Sequence, residues 1–151
     1  LDLFYYSFIY GHKKICIMIT NEIRNALKLT LTELHIAELE LNRPPAEVVT
    51  MSVCYSARHS LTNMLRLFLM NNNVDQIKGN SLKDVMYQCI KIDNQFSKIN
   101  LSPFLCKELN QEACDGKYCL TIGQVNECVS VANQVKILVL EKMKINERGM
   151  N

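Results

Sequence analysis

In the stretch VCYSARHSLTNMLRLFL, residues 53–69, an arginine and a histidine stand side by side at Arg58 and His59. A guanidinium beside an imidazole suits two kinds of chemistry. It grips an anion, or it steadies charge at a phosphate while the imidazole moves a proton. Which of these is open depends on where the helix points them. With Leu61 at the centre of the apolar stripe, Arg58 falls about 60° from it and His59 about 160° away, almost opposite the core. Arg58 therefore flanks the packed face, its stem covering apolar surface while the guanidinium reaches out to a carboxylate. Ser52, Tyr55, Ser56, Asn63 and Arg66 surround His59. The plain reading of Ser52, Tyr55, Arg58, His59, Asn63 and Arg66 is a solvated helix face. The functional reading is a groove for a partner or an anion, because small hydroxyls and an amide stand where Glu and Lys are usual.

The remaining reactive residues exclude more than they suggest. Seven cysteines stand at 16, 54, 89, 106, 114, 119 and 128, with no Cys-x-x-Cys. Cys54, Cys89 and Cys128 fall on apolar helical stripes, the places of small buried hydrophobes in a reducing compartment. Cys114 and Cys119 flank Asp115-Gly116 with no histidine near, so no metal site is expected there. The chain has no phosphate-binding Gly-rich loop, no His-Glu-x-x-His and no Gly-x-Ser-x-Gly. Glu33-Leu34-His35 has the wrong order for a di-iron bundle, and His35 with Glu38 reads as a surface pair. No cofactor is expected.

The elements that must hold these residues are helical. Among 151 residues, 48% are hydrophobic, 21% are charged, and the net charge is only +2, too small to argue for nucleic acid. No apolar run reaches the roughly 18 residues of a bilayer span. Residues 1–17 read as an appendage, split by Gly11-His12-Lys13-Lys14, with Met18 a natural start; this is a poor signal peptide. Residues 18–147 read as one domain and 148–151 as a frayed tail.

Helix one runs from about Thr20 to Asn42, with Ile23, Ala26, Leu27, Leu34, Ala37 and Leu41 on one stripe. Leu29, Ile36 and Leu39 form a second stripe, and Arg43-Pro44-Pro45 ends the helix. Helix two is expected from Pro45 to about Asn72, its stripe being Thr50, Cys54, Ala57, Leu61, Met64, Leu65 and Phe68. Helix three opens at Ser81 with Asp84 in a capping-box arrangement, burying Leu82, Val85, Met86, Cys89, Ile92 and Phe96. A short helix from Ser102-Pro103 to about Ala113 and a turn at CDGKYC precede the last helix. That helix is capped by Thr121 with Gln124 and lined by Val125, Cys128, Val129, Ala132, Val135, Val139 and Met143. The expected fold is an all-α, up-and-down bundle of four or five helices.

At this point the chain resembles a HEPN domain, the helical "higher eukaryotes and prokaryotes nucleotide-binding" family. VCYSARHSLTNMLRLFL is similar to the family's second helix, NSLKDVMYQCI follows an interhelical loop, and TIGQVNECVSVANQVKILVLEKM gives the long final helix. The resemblance covers roughly residues 20–143 in element order. It implies a bundle that often dimerises. In many members it also implies metal-independent RNA cleavage by an Arg-x4–6-His motif at a dimer cleft. The sequence departs there: none of Arg24, Arg43, Arg58, Arg66 and Arg148 has a histidine at that spacing, and NSLKD stands where many relatives carry a histidine.

The leading expectation is a non-catalytic, cytoplasmic, HEPN-like bundle acting by protein–protein contact. It would be a homodimer through Leu29, Ile36 and Leu39, or would pair with a nucleotidyltransferase-type protein in a toxin–antitoxin-like arrangement implied by the resemblance. The alternative is a ribonuclease or nucleotide-binding protein working through the Arg58/His59 face. A chaperone-like bundle is a third class.

Overall fold

A computed structural model describes residues 20–105 and 121–145. Four α-helices and no strand occur among the described residues: α1 (Asn21–Leu41), α2 (Thr50–Asn71), α3 (Leu82–Ile92) and α4 (Ile122–Met143). The expectations for 1–17, for the turn at CDGKYC and for the tail lie outside the described residues.

Three of the four starts are set by local hydrogen bonding. The Thr20 hydroxyl accepts the Ile23 N–H at 3.2 Å, and full capping boxes form at Ser81/Asp84 and Thr121/Gln124. Each satisfies backbone donors that the first turn leaves without partners. Two ends share one device. Asn73 (φ 60°) and Lys144 (φ 55°) turn left-handed, and the next residue's N–H returns to the helix, Val74 to Leu69 O at 3.1 Å and Ile145 to Leu140 O at 2.9 Å.

Helix two begins later than its prolines suggest. Pro45–Glu47 form a single 3-10 turn, Val48 is extended, and α2 starts at Thr50. A continuous helix would need the Val49 N–H to bond the Pro45 carbonyl. It goes instead to the Glu40 carboxylate at 2.9 Å, and Arg43 ties Glu40 to Glu47.

The core is built around α2, which packs on α1, α3 and α4. Cys54, Ala57, Leu61, Met64, Leu65 and Phe68 are buried as expected, with Thr50 only half-buried. Val53, Ser60, Leu67, Leu69 and Asn71 are buried as well, so α2 carries two stripes that meet at Ala57 and Met64. Helix α1 packs on α2 and buries its own stripe of Leu27, Thr30, Leu34 and Ala37. Thr30 and Ala37 of α1 and Ala57 and Ser60 of α2 are small among these buried residues. Both hydroxyls turn back to their own helix, Thr30 onto Ala26 O at 2.9 Å and Ser60 onto Ala57 O at 3.1 Å.

Helix three ends sooner than its stripe suggests. Asp93 is extended (φ −142°, ψ 113°), and Asn94–Lys98 form a 3-10 segment. The break resets the helical phase. Phe96 is buried against Phe68, with ring centroids 4.7 Å apart, but Ile92 is 41% exposed and not part of the core. The short helix at Ser102-Pro103 is a 3-10 turn over Ser102–Phe104, and its expected continuation lies outside the described residues. In α4 every expected core residue is buried, joined by Val131, Leu138 and Leu140.

Candidate functional site

The adjacent pair Arg58 and His59 diverges. Arg58, half-buried, donates from Nη2 to the Phe104 carbonyl, and its guanidinium lies 5.4 Å from the Phe104 ring centroid. The turn carrying Phe104 packs on α4. Arg58 thus latches a loop to the side of α2, where arginine's planar head suits both a carbonyl and an aromatic face.

His59 turns the other way, to α1. Its Nδ1 stands 2.7 Å and 2.9 Å from the two Glu33 oxygens. A carboxylate only accepts, so Nδ1 carries the proton, and Nε2 is left to accept from the Asn63 amide at 3.4 Å. The Tyr55 ring stacks beside the imidazole, 5.8 Å between centroids and 8° between planes. The His59 side chain is 50% exposed and that of Glu33 is 25% exposed. This is a wet pair in the seam between two helices, and its imidazole has a partner at each nitrogen. Glu33 was absent from the expected site. It lies 26 residues from His59, and only the antiparallel packing of α1 on α2 joins them.

Of the other expected site residues, Ser52 and Tyr55 are exposed, and Asn63 and Arg66 are half-buried. The Arg66 Nε is hidden with no hydrogen-bond acceptor among the described residues. The face thus brings Tyr55, His59 and Asn63 into contact, and directs Arg58 elsewhere.

The second candidate surface is the outer side of α1. Leu29 is 73% exposed, and Ile36 and Leu39 are each 54% exposed. Lys28 and His35 edge this stripe on one side, Glu33 and Glu40 on the other. The expected surface pair is present, His35 Nδ1 to Glu38 Oε2 at 3.3 Å, and Glu38 also accepts from Asn133 of α4 at 2.7 Å. The Val49 N–H holds the Glu40 carboxyl below the usual carboxylate range, helped by Arg43 and opposed by loss of hydration.

Two clefts among the described residues lie away from His59. One, of about 360 Å³, runs between His35 and Leu39 of α1, with Asn42 just past its end, and Ile122, Asn126 and Val129 of α4. The other, about 660 Å³ and open, follows Asn133, Ile137 and Leu140 along α4. No cluster of three or more His, Cys, Asp or Glu suited to a metal occurs among the described residues, and none of their helices is long and apolar enough to cross a membrane. Comparison with known proteins finds no matching family model, no matching curated protein and no matching solved structure.

Proposed function

We propose that this chain is a non-catalytic, HEPN-like interaction module of the cytoplasm that works through the outward face of α1. The observation that carries this reading is the exposure of Leu29, Ile36 and Leu39 on a helix whose opposite stripe is already filled by α2. Three large apolar side chains on one stripe are costly to leave in water, and contiguous patches of this kind mark contact surfaces. The resemblance supplies the class of partner, a second copy or a nucleotidyltransferase-type protein.

The test is a photo-crosslinking amino acid placed at Leu29 in cells, with Tyr87 on α3, 60% exposed, as the control position. Adducts at 29 and none at 87 are expected. A chain with no adduct at 29 or 36 is not an interaction module of this kind.

A second reading has one specific observation behind it. A carboxylate on Nδ1 is the arrangement that orients a histidine base, with Nε2 able to act on a substrate that displaces the Asn63 amide. On this reading the Glu33–His59 pair, with Asn63 and Arg66, acts on RNA or a nucleotide. It requires that His59→Ala and Glu33→Gln abolish RNA cleavage, or weaken nucleotide binding tenfold or more, at unchanged stability. Wild-type protein that neither cleaves RNA nor binds nucleotide removes it.

A further inference from the structure

The outward face of α1 has more order than exposure alone conveys. Asn25, Leu29, Thr32, Ile36 and Leu39 follow one another at spacings of 4, 3, 4 and 3, and all five are exposed. That is a heptad seam with Leu29 and Ile36 at the a positions and Asn25, Thr32 and Leu39 at the d positions. The Thr32 hydroxyl already donates to Lys28 O at 3.0 Å, so covering it strands no donor.

The flanks decide what covers the seam. Lys28 and His35 occupy the g positions, Glu33 and Glu40 the e positions. When two such helices pair in parallel, each g residue meets the e residue five positions on in the other strand. Lys28 then meets Glu33 of the second copy, and His35 meets Glu40. Antiparallel pairing would set Lys28 against His35 and Glu33 against Glu40, like beside like. Glu33 and Glu40 are bonded within the chain to His59 and to Val49, but their side chains are 25% and 20% exposed, and a carboxylate has acceptor sites to spare.

We propose that the occupant of this face is a second copy of the same chain, its α1 parallel to the first about a two-fold axis that runs along the helices. The inference rests on the reading of this face as the contact surface of the module. Two heptads are few for a free coiled coil. Here, however, the bundle has already ordered α1, so association carries little of the cost of forming the helix. The contact is small, which places it among weak, micromolar dimers.

Sedimentation across about 5 to 300 µM, a span that covers such affinities, tests it with signs rather than sizes. Wild type is expected to dimerise, and Leu29→Asp to remain monomeric with unchanged helicity. Lys28→Glu sets Glu against Glu in the parallel pair and is expected to weaken dimerisation about three- to tenfold. The double variant Lys28→Glu/Glu33→Lys restores opposite charges and is expected to return to within about twofold of wild type. His59→Ala, which removes only the intrachain partner of Glu33, controls for that loss and is expected to leave the affinity unchanged. In an antiparallel pair Lys28→Glu would face His35 and tighten the dimer. Unchanged or tighter association of that variant overturns the proposal, and so does a monomer at 300 µM. A monomer that still forms adducts at position 29 with a different protein sinks the second copy alone. No adduct of any mass sinks the interaction module with it.

Discussion

The Cys89 thiol sits between α3 and α2 with no exposed surface, donating to the Leu65 carbonyl at 3.6 Å. Burial pushes it up to about 12, against a smaller lowering from backbone hydrogen bonding. A thiol reacts as its thiolate, so Cys89 is expected to resist maleimide at pH 8 for as long as the bundle is folded. Mass-mapped labelling should find it modified only once urea opens the core. Gly79 is special for a different reason. Its φ of +76° lies where side chains are strained, and a Cβ there would collide with the Asp84 carboxylate, one half of the α3 capping box. Gly79→Ala should therefore destabilise twice over, through strain and through the cap. The expected sum is about 2 kcal/mol, read from the urea midpoint. Arg58 and His59 add a third lesson. Neighbours on a helix point 100° apart, and with α1 on one side and the Phe104 turn on the other, each found a different partner.

Between elements, the decisive contact is α1 against α2. Ala57 is wholly buried where the two stripes of α2 meet. Ala57→Leu should force the helices apart at a cost of about 1–3 kcal/mol, visible as a lower Tm, with Ser60→Ala near neutral beside it. Much of this element scale was legible beforehand. The caps at Ser81 and Thr121 are written in residues three apart, and the main stripes of α1, α3 and α4 recur at helical spacing. What escaped was long-range. One period assigns one buried face, so the second stripe through Val53, Ser60 and Leu67 went unread in a helix that packs on three others. The late start of α2 depends on Glu40 reaching nine residues ahead to Val49. The early end of α3 depends on Asp93, whose carboxylate takes the Gln95 N–H at 2.9 Å and Lys142 of α4 at 2.9 Å. The candidate face was legible as exposed, but Glu33, the residue that orients His59, belongs to another helix.

For the whole molecule, those two carboxylates predict the response to acid. Lys142, and then the Gln95 N–H, hold Asp93 below the usual carboxylate range, as Val49 and Arg43 hold Glu40. A carboxylate depressed in the folded state binds fewer protons there than in the unfolded chain, so stability rises with pH across its titration. The contribution is complete above the unfolded value, about pH 4–4.5, and is lost as pH falls from there through the folded one. The Tm should thus be level from pH 7 to about 5 and decline below, and Asp93→Asn should flatten part of that decline. Salt should blunt the effect, because both pairs lie near water. The decline should also have a location. Helix three is joined to the core through α2 and through the 3-10 segment that follows it, and Asp93–Lys142 links its end to α4. When that tie protonates, residues 82–98 lose a link that α1 and α2 never depended on. Hydrogen exchange near pH 3.5 should then show α3 opening before α1 and α2, and the Asp93→Asn protein should already show that order at pH 6. Simultaneous loss of protection in all four helices would mean that the tie between α3 and α4 bears no separate share of the fold.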